Sequence, residues 1–225
     1  SIVSRYETEK KLVDTFRKQV LVSLEDEKLA SLVHSIKSRL KDPEHLRDKL
    51  YRKLAECKKK DAKFAYTPDN LLKKVTDLAG VRILHLHTRQ MKEIDKCLKR
   101  IFEEQSLLLK EGPSARTWDD ESRDFFKSIG IETVNSQTMY TSVHYIIASN
   151  NRNSITCEIQ VRTLMEEVWG EVDHSINYPH TIPDVSCKEQ ILVLARATST
   201  ATRLVDSIFA TVDDIAVRQE KARKK

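Results

Sequence analysis

The stretch Ser154–His174, SITCEIQVRTLMEEVWGEVDH, constrains this chain more than any other. Its first half alternates. Ile155, Cys157, Ile159 and Val161 fall on one strand face, and Thr156, Glu158, Gln160 and Arg162 on the other, because successive strand side chains point to opposite sides. The apolar set can be buried. The polar set puts a carboxylate, an amide and a guanidinium in register, which serves little purpose outside a site for a charged ligand. An edge strand with a solvated face is the competing reading. From Thr163 the pattern turns helical, with Leu164, Val168 and Val172 as an apolar stripe and Trp169, Glu171 and His174 on the same helix. A polar strand face running straight into a helix is a good place for a nucleotide.

Upstream, residues 1–32 predict a helical opening striped by Leu12, Phe16, Val20, Leu24 and Leu29, which packs on a sheet or on a partner. Residues 33–41 alternate as a strand with Lys37, Arg39 and Lys41 in a row, and Asp42-Pro43 starts a helix over 43–60 that carries Lys49. The basic run 51–60 reads as a solvated helix face. Residues 67–80 predict a short helix ending at Gly80, which places Asp77 just before a buried strand, Val81–Leu86. A helix over 88–109, a turn at Glu111-Gly112-Pro113 and a helix start near Asp119 follow. Two strands fill 131–149, the second with Tyr140, Ser142 and His144 on one face, as for a base-stacking platform or a core tyrosine. Asn177-Tyr178-Pro179 and Ile182-Pro183-Asp184 break the chain before a long amphipathic helix, or bent pair, over 186–219. One unit spans 1–225, its motifs within about 30–180, with helical additions at 1–32 and 186–225.

Composition narrows the chemistry. With only 4 Gly in 225 residues, side chains rather than a glycine loop must hold any phosphate, and neither a P-loop nor a G-x-G-x-x-G is present. The net charge of +5 suits an anionic nucleotide and does not demand nucleic acid; DNA is not expected as a partner. Four dispersed cysteines fit reduced cytoplasmic thiols. No apolar run is long enough for a membrane span, and the start at Ser1, without a signal peptide, reads as that of a trimmed chain. Asp77 and Glu158, from two strands, can hold Mg²⁺, while Arg39, Lys41 and Lys49 supply the positive charge that phosphoryl or pyrophosphoryl transfer needs.

Together these segments resemble the synthetase domain of the RelA/SpoT family, whose enzymes make (p)ppGpp. The resemblance rests on Arg39-x-Lys41 with Lys49, on Asp77-Leu78-Ala79-Gly80-Val81-Arg82-Ile83, on Tyr140-x-Ser142-x-His144, on Glu158–Thr163, and on Trp169, Glu171 and His174. It implies an α/β (α+β), nucleotidyltransferase-like fold: a mixed sheet of about five strands with helices on both faces and flanking terminal helices. It implies transfer of the β,γ-pyrophosphate of ATP to the ribose 3′-hydroxyl of GDP or GTP, with Asp77 and Glu158 binding Mg²⁺. Arg39 and Arg82 would sandwich adenine, Lys41 and Lys49 would contact ATP phosphates, and Tyr140 would stack on the acceptor base beside His144. Glu167 stands where the family often has an asparagine near guanine; Gln160, Arg162 and His174 support the site. The family's Lys-Pro-x-Gly before the tyrosine is Ser136–Met139 here, so a contact to the acceptor's 5′-phosphates is lost. This departure leaves one alternative open, pyrophosphorylation of the 3′ end of tRNA (or of an adenosine nucleotide); a second, of another class, is a non-catalytic alarmone sensor that keeps the fold. The resemblance also implies a possible homo-oligomer through the C-terminal helix.

Overall fold

The computed structural model describes residues 1–136, 138–150, 154–177 and 184–224. Its centre is a six-stranded sheet in the order β1-β2-β6-β5-β3-β4. The strands are β1 (Ser35–Leu40), β2 (Ala79–His85), β3 (Leu108–Thr117), β4 (Glu132–Asn135), β5 (Ser142–Ala148) and β6 (Thr156–Thr163). β6 lies between β2, parallel, and β5, antiparallel, while β1 closes one edge antiparallel to β2. The mixed α/β class is as the sequence implies.

The strand beyond the expected five is β3, in the region where the sequence predicts the end of a helix and a turn. The helix α5 (Met91–Glu104) stops short of 109, and Glu111-Gly112-Pro113 lies inside the strand. β3 hides from pattern reading because its pairing with β5 shifts register twice, between Leu109 and Glu111 and between Glu111 and Ser114. Gly112 sits in that irregular stretch at φ +91°, where an added Cβ would lie 2.3 Å from the His144 carbonyl oxygen.

One face of the sheet is the core. Val81, Ile83, Val143, Tyr145, Ile147, Cys157, Ile159 and Val161 are all buried there, under α1 (Ile2–Ser23) and α5. The opening helix therefore packs on the sheet, through Tyr6, Val13, Phe16 and Val20; the chain then breaks and resumes as α2 (Glu27–Leu32). Tyr145 meets Phe102 of α5 edge-on and donates its hydroxyl to Asp95 Oδ1 at 2.8 Å.

The connections aim residues at the other face. Asp42 caps α3 (Pro43–Lys59) by accepting from the Glu44 and His45 N–H groups, with Pro43 in the first turn. The helix expected over 67–80 is only α4 (Leu71–Lys74); Gly80 belongs to β2, and Asp77 sits in the intervening turn. α6 (Asp120–Ser128) starts at its Asp119 cap. On the polar face lies α7 (Leu164–Asn177), packed on the continuous 39-residue α8 (Val185–Arg223). Of the expected breakers, Tyr178, Pro179, Ile182 and Pro183 lie outside the described residues. No described helix is long and apolar enough to cross a membrane.

α7 overturns its expected stripe. Val168 is 56% exposed, whereas Glu166, Glu167 and Trp169 are buried. The sheet face beneath is polar and cationic, so the helix turns its carboxylates inward and its valine outward.

Register is the testable part of this fold, since a slip of one residue exchanges the two faces of β6. Ile159→Ala should cost about 2–5 kcal/mol in urea unfolding. A cost near zero would place Ile159 off the core.

Candidate active site

Two rows of side chains cross the polar face of the sheet. Lys37, Arg82, Gln160 and His144 are successive register partners across β1, β2, β6 and β5. One step along, Arg39 faces Gly80, which faces Glu158. Cross-strand neighbours sit about 5 Å apart, so parallel β2–β6 pairing brings Arg82 and Gly80, from one end of the chain, beside Glu158 and Gln160 from the other.

Three adjoining lobes open over these rows. The first, about 300 Å³, is walled by Lys37, Arg39, Asp77, Arg82, Glu158 and His174. The second, about 600 Å³, is strongly basic, with Arg39, Lys41, Lys49, Arg52 and Lys53 around Asp77. The third, about 420 Å³, is lined by Tyr140, His144, Arg162, Trp169 and Arg116 together with Asp77 and Glu158. Asp77 and Arg39 border all three lobes.

The two carboxylates are held differently. Lys41 Nζ donates to Asp77 Oδ2 at 2.8 Å and Lys49 Nζ to Oδ1 at 2.7 Å. Burial alone would raise the Asp77 pKa, but the two ammonium groups outweigh it and hold it at about 2. Glu158 Oε1 accepts from His144 Nδ1–H at 3.0 Å and Oε2 from Gln160 Nε2–H at 2.8 Å. Burial acts to raise this group too; the hydrogen bond and charge of His144 prevail and lower it. His144 Nε2 lies 2.6 Å from Ser142 Oγ. Both carboxylates are therefore ionised at neutral pH and border the same two lobes, a donor set that suits a hard divalent cation. Among the described residues no cluster of three His, Cys, Asp or Glu could hold a metal, so phosphate oxygens would have to complete its shell.

The match to a family model comes from the segment that builds these walls. Residues 38–182 match the region found in RelA / SpoT proteins. The chain belongs to the RelA/SpoT family. No curated protein matches the sequence, but solved structures match the fold. A GTP pyrophosphokinase family protein from Streptococcus pneumoniae superposes with TM-score 0.58 at 20% identity, over 94% of this chain and 90% of that one. Small alarmone synthetase 1 from Bacillus subtilis bound to its product pppGpp gives 0.53 at 19% identity, over 94% of each chain. The same synthetase bound to AMPCPP gives 0.52 at 16%, over 93% of this chain and 95% of that one.

Within this RelA/SpoT fold, Glu167 lines none of the three lobes. It is buried and bridges cations: Arg82 Nη1 donates to its Oε1 at 2.9 Å, Arg162 pairs with its Oε2, and Lys37 Nζ is 3.5 Å away. Arg82 also pairs with Glu171. Tyr140 is half-buried, its ring 6.1 Å from His144, 6.2 Å from Trp169 and 5.4 Å from the Arg162 guanidinium carbon. Its hydroxyl donates to Gln160 Oε1 at 3.3 Å. His174, exposed on α7, meets His45 edge-on. Burial lifts Glu166 to about 7, although it accepts the Thr141 N–H.

Sequence reading missed several lining residues. Arg52 and Lys53 wall the basic lobe, contrary to the reading of 51–60 as a solvated face alone. The helical period could have shown this, since Arg52 and Lys53 lie three and four residues after Lys49. Arg116 joins the third lobe from the irregular β3, where no period exists to find it.

The Asp77 clamp makes a pH prediction. Its pKa is about 2 in the folded protein, against 3.8 for an ordinary aspartate carboxyl. The stabilisation is thus complete above about pH 4 and is lost as pH falls toward 2. Over that interval the wild type should lose of order 2 kcal/mol relative to Asp77→Asn, measured by denaturant titration of both. Parallel curves would refute the clamp.

Proposed function

We propose that this protein is a pyrophosphokinase: it moves the β,γ-pyrophosphate of ATP to the ribose 3′-hydroxyl of GDP or GTP. The observation that carries this reading is that Asp77 borders both the basic lobe and the aromatic one, with Glu158 beside it in the first lobe and the aromatic one. A donor triphosphate fits the basic lobe, and a base with its ribose fits beside Tyr140 and Trp169. The complexes of the Bacillus subtilis synthetase with pppGpp and AMPCPP support the same two ligand classes.

The side chains divide the work as follows. Arg39 and Arg82 flank the first lobe from adjacent strands and offer guanidinium faces to adenine. Lys41, Lys49, Arg52 and Lys53 balance charge on the triphosphate. Asp77 and Glu158 would hold Mg²⁺, which when bound neutralises charge on the phosphate oxygens. Binding it requires Lys41 and Lys49 to share Asp77 with the cation, and they remain beside the phosphates. The acceptor 3′-oxygen bonds to the β-phosphorus while the bond from that phosphorus to the α,β-bridging oxygen breaks, and AMP leaves. Positioning does most of the work, with no covalent protein intermediate. Glu158, His144 and Ser142 form a hydrogen-bonded chain that can take up the hydroxyl proton. Arg116 supplies a cation for the acceptor's 5′-phosphates, where the Ser136–Met139 segment has none.

Incubation with labelled ATP, Mg²⁺ and, in turn, GDP, GTP, GMP, ATP and deacylated tRNA tests the reading. Transfer to a guanosine nucleotide is expected. Transfer to tRNA alone would replace the acceptor, and binding without transfer would make the protein a sensor. Asp77→Asn and Glu158→Gln should each lower transfer at least about 100-fold with the fold retained, and Arg116→Ala should raise KM for GDP more than for ATP.

The partner reading extends to a second copy of this chain. Val193, Leu204, Ile208, Val212 and Ile215 of α8 are each 48–63% exposed. With Ala197 and Ala201 they form a 4-4-3 spacing, an 11-residue repeat that keeps one face aligned along a nearly straight helix. On one flank lie Glu189, Arg196, Asp214 and Lys221, all exposed. In an antiparallel pair centred on Val205, Arg196 meets the second copy's Asp214, and Glu189 its Lys221. Light scattering should show a dimer or higher species, and Ile208→Glu a monomer; a monomeric wild type would refute the pairing.

A further inference from the structure

Glu167 meets three cations on three strands: Lys37 of β1, Arg82 of β2 and Arg162 of β6. Its side chain is 7% exposed and borders none of the lobes in which a nucleotide would lie. Its two arginines nevertheless reach the lobes differently. Arg82 walls the first, with Arg39, and also borders the third, whereas Arg162 lies in the third alone, under the Tyr140 ring. We propose that Glu167 is a positioning residue shared by donor and acceptor subsites, setting the plane of Arg82 for one nucleotide and of Arg162 for the other. This inference rests on the pyrophosphokinase reading above.

The physical argument is geometric. A guanidinium is planar, donates through its edge and stacks through its face. Spending the Arg82 edge on Glu167 and Glu171 fixes the plane while leaving a face open to a base. Arg162 is pinned three ways: by Glu167, by the Tyr140 ring 5.4 Å away, and by a notch in α7. That notch exists because Gly170 has no side chain; a Cβ there would lie 2.6 Å from Arg162 Nη1. Without the carboxylate, two cations on neighbouring strands would repel each other in a site shielded from water, and both planes would drift. One anion on α7 thus ties together the two halves of the site. It does so without touching either ligand, unlike the guanine contact that the family position implies.

Crossed binding measurements test this. Calorimetric Kd values for AMPCPP and for GDP would be taken on wild type, Glu167→Gln, Arg82→Gln, Arg162→Gln and the two doubles with Glu167→Gln. Glu167→Gln should weaken both ligands about 10-fold. In the Arg82→Gln background it should weaken only GDP further, and in the Arg162→Gln background it should weaken AMPCPP by the full factor and GDP by less, since Arg82 also borders the third lobe. Losses that add in every background would overturn the proposal in favour of a general structural role. A loss confined to GDP and undiminished by Arg162→Gln would overturn it in favour of direct contact. If Glu167→Gln fails to fold, Glu167→Asp keeps the charge but not the reach, and it should show the same loss on both ligands; wild-type affinities would overturn the proposal. Wild type that binds neither nucleotide refutes the pyrophosphokinase reading, and this inference with it.

Discussion

The pairing of inward-facing carboxylates with cations across one face of the sheet is the constraint on which the rest depends. Asp77 is clamped by Lys41 and Lys49, and Glu167 by Arg82 and Arg162. Removing either anion would leave charge stranded beside a buried sheet, at a cost of several kcal/mol. α3 is oriented so that Lys49 reaches Asp77, and α7 so that Glu167 reaches β2 and β6. The opposite face of the same strands is conventional apolar core, which fixes their register and so the positions of the charges.

This arrangement explains why the site needs so few glycines. The positive field comes from long side chains on β1 and α3, delivered to one turn residue, Asp77. Burial and cation pairing act in opposite directions on that carboxyl, and the cations win. Glu158 is held instead by hydrogen bonds from His144 and Gln160. Two carboxylates with different neighbours border the same space. Such a pair suits phosphate chemistry, in which charge must be balanced on several oxygens at once.

Much of the sheet was legible in the sequence because period-2 alternation survives in β1, β2, β5 and β6. Glu158, Gln160 and Arg162 do share a face of β6, and Lys37 and Arg39 share the same sheet face from β1. Where alternation fails, reading fails with it: β3 is bulged around Gly112, and Arg116 was lost with it. α7 was misread for a different reason. Hydropathy alone turns Leu164, Val168 and Val172 inward, but the surface beneath is cationic, so Glu166 and Glu167 are buried and Val168 is exposed. An amphipathic stripe identifies the buried face only when that face is apolar.

By itself, then, the sequence determined the alternating strands, the caps and the inventory of charged groups, and through its motifs the family, because these depend on neighbours within a few residues. Only the tertiary structure decided which charges meet. Asp77 lies 36 residues from Lys41, Arg82 lies 85 from Glu167, and Glu158 shares two lobes with Asp77 because β2 and β6 pair in parallel. Local periodicity carries no information about such distances. The stretch from Ser154 onward supplied the carboxylate, the amide and the guanidinium; strand order and the inward turn of α7 made them one site.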